Sequence, residues 1–184
     1  MKEHMTAVNE ISKEDLKQYW NIGLVFGLVS AIIYCISLYL KYNYFYTNPV
    51  AFQASSFITY FIFVLQLLLC ALYIRKNSVG YLGSRQIFGA LFLMILMTET
   101  AYLLFNYFYL VKINPGFTEE FREIILKHMT VLGQSSEDIA AYAEEMDAVT
   151  EEQQSFMYHF KGNIIWILID SIIALLMSLF LKRQ

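Results

Sequence analysis

From Ile87 to Val111 the chain runs for about 25 residues with one formal charge, the carboxylate of Glu99. At about 1.5 Å per residue that is roughly 37 Å of helix, enough to cross a ~30 Å hydrocarbon layer with some tilt. A water-soluble domain of this size rarely buries a helix that is apolar on every face. The run leaves through Phe105, Tyr107, Phe108 and Tyr109 and then Lys112, which reads as an interfacial aromatic belt with a snorkelling cation. Asn114, Pro115 and Gly116 stop it, because proline cannot continue the hydrogen-bond ladder and Pro-Gly favours a type II turn. The stretch is a predicted transmembrane helix.

Three further runs have the same character: Trp20–Leu40 without a charge, Phe52–Ile74 ending at Arg75 and Lys76, and Ile164–Leu181 ending at Lys182 and Arg183. The predicted spans are therefore about 20–40, 52–74, 87–111 and 164–181, within a single domain covering residues 1–184. Charged residues make up only 16% of the chain, against roughly a quarter in average soluble proteins. A net charge of −3 and the lack of a basic stripe argue against a nucleic-acid partner. Cys35 and Cys70 sit inside apolar runs, read as small buried hydrophobes, and reveal no redox compartment.

Local signals subdivide the rest. Residues 1–18 are polar and mixed in charge, with Ser12 and Asp15 placed to cap a helix, and they do not resemble a signal peptide. In the first span Gly23, Gly27 and Ala31 recur every four positions, the small-residue pattern that lets helix backbones approach. Packing against another span of the same chain is the expectation, with self-association as the alternative. Tyr42–Tyr46 reads as an aromatic interfacial loop, and Asn48-Pro49 as the cap and first residue of the next helix. Residues 77–84, with Gly80 and Gly83, form a short connection.

After Phe117 the pattern becomes amphipathic. Thr118 is placed to cap a helix with Glu119 and Glu120 in its first turn and Phe121, Ile124, Ile125, Met129 and Leu132 on one face, ended by Gly133. A Ser135-x-x-Asp138 box opens a second helix with Ile139, Tyr142, Ala143, Met146 and Val149 on its apolar face. Thr150–Gln153 resembles a third capping box, from which a helix is expected to run directly into the last span. The predicted fold is all-α: a four-helix transmembrane bundle with an amphipathic helical extracytoplasmic insertion, about 118–160, between the third and fourth spans. Its apolar faces are expected to lie on the membrane or cap the bundle.

Charge sets the expected orientation. Lys2, Lys13, Lys17, Arg75, Lys76, Arg85, Lys182 and Arg183 fall on the side of the termini. The opposite side has Lys41, Lys112, Arg122, Lys127 and Lys161 dispersed over a longer, acidic stretch. The positive-inside rule then predicts cytoplasmic termini.

Two carboxylates lie within the spans, Glu99 in the third and Asp170 in the fourth. An ionised Asp at a helix centre costs about 2.5–3.5 kcal/mol on insertion scales, so neither is expected to face lipid as an anion. With no Lys or Arg inside the spans so drawn, at least one carboxyl is expected to keep its proton at neutral pH. Asn106 follows Glu99 by seven residues, and Asn163 precedes Asp170 by seven, so each amide shares a helix face with its carboxyl. Gln66 is the strongly polar interior residue of the second span. Counting inward at ~1.5 Å per residue, Glu99, Asp170 and Gln66 lie about 18, 12 and 21 Å deep, compatible with one shared polar cluster. Such a cluster is either interhelical glue, worth about 0.6 kcal/mol per contact, or a proton- or cation-handling site.

Other chemistry is sparse. His4, His128 and His159 lack metal-ligand spacing, and there is no His-Glu-x-x-His, Cys-x-x-Cys, phosphate-cradling glycine loop or nucleophile elbow. No catalytic residue, metal or cofactor is expected.

The stretch Phe105-Asn106-Tyr107-Phe108-Tyr109, with Ile113-Asn114-Pro115-Gly116-Phe117, Glu144-Glu145-Met146 and Lys182-Arg183, resembles the bacterial membrane-protein family catalogued as domain of unknown function 4199. The resemblance covers roughly Trp20 to Arg183. It implies a small four-span protein of the bacterial inner membrane and brings no catalytic residues. Members often carry Asp before the proline, where this chain has Asn114. The leading expectation is a non-enzymatic multi-pass protein that acts by interaction, with the lipid bilayer and a protein partner or a second copy as its contacts. The alternative is a small proton- or cation-coupled transporter or channel component using Glu99 and Asp170.

Overall fold

The computed structural model describes residues 13–78, 82–153 and 155–182. The polar tail before Lys13 with its Ser12 cap, Gly80 and Arg183 lie outside the described residues. The helices are α1 (Lys13–Leu40), α2 (Pro49–Asn77), α3 (Ser84–Phe108), α4 (Phe117–Val131), α5 (Ser136–Gln153) and α6 (Phe156–Leu181). Among the described residues four helical segments are long and apolar enough to cross a membrane: Lys17–Phe45, Pro49–Asn77, Ser84–Ile113 and Phe156–Leu181. Each exceeds the span drawn from sequence, because the interfacial aromatic and polar residues at the ends remain helical.

Helix α3 is the centre of the bundle, packed along α1 and α6, while α2 touches its neighbours more loosely. Large apolar side chains such as Val25, Phe57, Leu168 and Phe180 point outward, whereas Ser30, Thr98, Asp170, Ala174 and Ser178 are buried. The interior also holds large apolar residues such as Phe63, Leu67, Leu91 and Ile95, so the bundle is apolar both inside and outside, which suits lipid, while the small and polar residues mark where helices approach closely.

The α1–α3 contact shows why the small residues are there. A Cβ at Gly23 would collide with the backbone of Ala90, and one at Gly27 would lie 3.0 Å from Met97 Sδ and 3.1 Å from Met94 Cα. Ala31 is only half-buried, and the stripe passes instead to Ser30, which is fully buried. A four-residue step overshoots a 3.6-residue turn, so three small residues at that spacing drift off the contact line.

Several local expectations hold. Asn48 Oδ1 accepts from the backbone N–H groups of Val50 and Ala51 at 3.0 and 3.2 Å, with Pro49 as first helical residue. Gly133 adopts φ +73° after α4, and Ser135 caps α5 by accepting from the Asp138 N–H at 3.1 Å.

Others are corrected. Tyr42–Tyr46 is not a loop: α1 continues as a π-helical turn over Lys41–Phe45, as α3 does over Tyr109–Ile113. The reason is aromatic packing, with Tyr42 stacked on Tyr109 at 5.0 Å and edge-on to Phe117 at 5.0 Å. Gly116 has φ −81°, which excludes the type II turn, and it rather than Thr118 precedes the first helical residue of α4. Helix α5 runs straight through Thr150, and Ser155 caps α6 by accepting from the Met157 N–H at 3.2 Å. The insertion and the last span are thus separate helices, not one.

Helix α4 is anchored at its start, where Phe121 meets Phe52 at 4.2 Å between ring centroids and Phe117 is buried in the aromatic layer. Arg122 on α4 pairs with Asp147 on α5 at 2.9 Å, which closes the α4–α5 hairpin.

Candidate functional site

The polar residues singled out along the spans do not form one cluster. They resolve into three contacts stacked through the bundle. Nearest the π-helical turns, Asn106 accepts a hydrogen bond from the Tyr42 hydroxyl within the aromatic layer. Deeper, Asn163 donates to Glu99 Oε2 at 2.6 Å and to the Glu99 backbone carbonyl at 3.1 Å, clamping α6 onto α3. Asp170 follows Asn163 by seven residues, about 10 Å further along α6. There the Tyr60 hydroxyl donates to Asp170 Oδ1 at 2.9 Å, joining α2 to α6.

Both carboxyls are buried, Glu99 at 3% exposure and Asp170 at 0%. Asp170 Oδ2 is enclosed and makes no hydrogen bond among the described residues. Gln66 is half-buried on α2, and no hydrogen bond among the described residues joins it to the other four. It sits three residues after Phe63 and four before Cys70, at the edge of the α2 face that packs inward.

Sequence reading missed the tyrosines. Tyr34 lies near the middle of its span, within electrostatic reach of Glu99, Asp170, Tyr60 and Tyr102. Its ring stands edge-on to Phe63 at 6.0 Å and to Tyr102 at 5.6 Å. A signal was available: tyrosine favours the membrane interface, so a tyrosine at mid-span needs a polar partner for its hydroxyl. Lys41 was missed as well. Ending the first span at Leu40 left no cation inside the bundle, but the π-helical turn carries Lys41 inward, with its Nζ 4.1 Å from the Phe52 ring centroid.

Two cavities approach Glu99. One, of about 370 Å³, is bounded by α1, α2, α3 and α6 and is lined by Tyr34, Lys41, Ser56, Tyr60, Glu99 and Trp166 among others. The second, of about 690 Å³, lies toward the start of α6 and is lined by Asn106, Tyr158, Lys161 and Asn163. Tyr102 lines both and stands between them. Helix α2 packs more loosely than α1 and α6 and borders the first cavity through Gln53, Ser56, Phe57, Thr59 and Tyr60.

A carboxyl that borders a cavity can exchange a proton or bind a cation, which one sealed in a dry core cannot do. Four helices long and apolar enough to cross a membrane, with a buried carboxyl pair between them, are the arrangement of a membrane protein. The family model described as "Protein of unknown function (DUF4199)" matches residues 21–183, and the chain belongs to that family. No curated protein and no solved structure matches it.

Proposed function

We propose that this protein is a multi-pass protein of the bacterial inner membrane in which Glu99 and Asp170 form a proton- or cation-handling site. The termini lie in the cytoplasm and the α4–α5 hairpin on the outer face. What supports the site is the cavity of about 370 Å³ between all four spans, which reaches Glu99. Ionisable groups inside a bilayer are costly and commonly mark ion paths when they border such a space. Glu99 on α3, bonded to Asn163, and Asp170 on α6, bonded to Tyr60, are staggered along the bundle, an order suited to passing a proton between them. The orientation rests on the basic residues flanking the inner helix ends, Arg75, Lys76, Arg85 and Lys182.

Infrared difference spectroscopy tests the site. A protonated-carboxyl band should titrate near neutrality, exchange with deuterated solvent, and disappear in Glu99→Gln. A band that stays protonated well above about pH 7 and never exchanges would leave only interhelical glue.

A second reading, action by interaction without enzymatic activity, is favoured by the tip of the hairpin. Val131 and Leu132 stand 77% and 64% exposed there, beyond the part of α4 that packs on the bundle. Cross-linking from Val131 in native membranes should then capture a protein partner or a second copy, and a clean result would remove this reading.

A further inference from the structure

The cavity between the four spans has the composition of a cation cage. Its deep end is walled by Tyr34, Tyr60, Tyr102 and Trp166, with Glu99 among them. Tyr60 and Trp166 stand 5.5 Å apart between ring centroids, and Tyr34 and Tyr102 5.6 Å apart, so the rings form two adjoining pairs rather than a filled stack. Aromatic faces attract cations through the ring quadrupole, most strongly where water is excluded, and quaternary ammonium groups are recognised by such cages. Glu99 uses Oε2 to accept from Asn163, and its other carboxyl oxygen makes no hydrogen bond among the described residues. At about 370 Å³ the cavity falls at the lower end of the ~300–1,000 Å³ range typical of small-molecule sites.

We infer that this cavity binds a compact organic ammonium, with the cationic head between the aromatic rings and Glu99, in exchange for the Glu99 proton. The inference rests on the proton-site reading of Glu99 and names what competes for it. The step balances in charge: the O–H bond of the Glu99 carboxyl breaks, the proton leaves to solvent, and the ammonium takes its place. No covalent bond to the ligand forms.

The other groups facing Glu99 shape selectivity. Tyr34 on α1, Tyr60 on α2 and Tyr102 on α3 supply faces and hydroxyls, and Asp170 on α6 holds the Tyr60 hydroxyl at 2.9 Å. Lys41 on α1 holds its ammonium over Phe52 while lining the same cavity. That charge opposes a second positive centre, so the site takes a monocation or a zwitterion and rejects a dication.

The test is calorimetric titration of the purified full-length protein with benzyltrimethylammonium, in buffers of differing ionisation enthalpy that count protons. Wild type should bind with release of about one proton, and its affinity should fall about tenfold per pH unit once the carboxyl is protonated. Glu99→Gln should lose binding. Trp166→Leu, on a wall outside the hydrogen-bond network, should weaken it about fivefold with the fold intact. Hexamethonium, a dication, should not compete. If the carboxyl band titrates and exchanges but benzyltrimethylammonium gives no heat, the cation cage is wrong while the proton site stands. If Glu99→Gln and Trp166→Leu both bind like wild type, the ammonium sits elsewhere and the inference fails. If no band titrates, the proton-site reading fails as well.

Discussion

Replacing Gly23 with alanine puts one methyl group where α1 and α3 touch backbone to backbone. The added Cβ would overlap the carbonyl oxygen, carbonyl carbon and Cα of Ala90, none of which can rotate away. The helices must therefore separate locally by roughly 1 Å, and a gap of that size forfeits a quarter to a half of the dispersion energy of the atoms facing it. Overpacking of this kind costs about 1–3 kcal/mol, and alanine's better helix propensity returns about 0.5–1 kcal/mol. The net expectation is a loss of up to about 2.5 kcal/mol, or a melting temperature lower by up to roughly 10 °C for a chain of this length. Gly27→Ala should be milder, because its closest contact, at 3.0 Å, is the flexible end of Met97, although Met94 Cα at 3.1 Å limits the relief. Gly89→Ala supplies the control, since nothing lies within 4 Å of a Cβ there. It should be neutral or stabilising by up to about 1 kcal/mol. Thermal unfolding in one detergent, followed by size-exclusion chromatography, would rank the three. Equal shifts for Gly23→Ala and Gly89→Ala would refute close α1–α3 packing.

Topology has a direct test on a background lacking Cys35 and Cys70. A cysteine at exposed Ser136 should react with an impermeant thiol reagent in intact cells, and one at exposed Asn77 should not; the opposite pattern inverts the orientation. Asn77 serves better than its neighbour Ser78, which is buried at 6% exposure and would stay unlabelled on either side. At the hairpin, the Tyr46 hydroxyl donates to Glu120 Oε1 at 3.1 Å, and this hydrogen bond, with the carboxylate charge, holds the phenol above its usual range. Because the folded-state value is the higher one, the tether is fully present below about pH 10 and lost as pH rises through the folded value. The difference between the phenolate titrations of the wild type and Tyr46→Phe should be one tyrosine titrating above the usual range; a difference at the ordinary value would break the link to Glu120.

The all-helical fold and the four long apolar helices follow from the sequence alone, because an apolar run of some twenty residues has no other place to put its backbone hydrogen bonds in lipid. Caps at Asn48 and Ser135 and the stop at Gly133 are equally legible, since each depends on contacts within a few residues. The burial of Glu99 and Asp170 also follows from local chemistry, as the cost of exposing a carboxylate to lipid is the same in any fold. What the polar groups bond to was decided only in three dimensions. Asn106 goes to Tyr42 and Asp170 to Tyr60, pairings across 64 and 110 residues that depend on how the helices rotate against one another. Helical spacing places residues on a face but does not choose the face opposite. The cavity has the same origin. It exists because α3 packs closely on α1 at Gly23 and on α6 at Asn163, leaving α2 to meet them through tyrosines and hydroxyls. Lys41 enters that space because stacked rings at the far end of α1 extend the helix past the boundary its charge suggested.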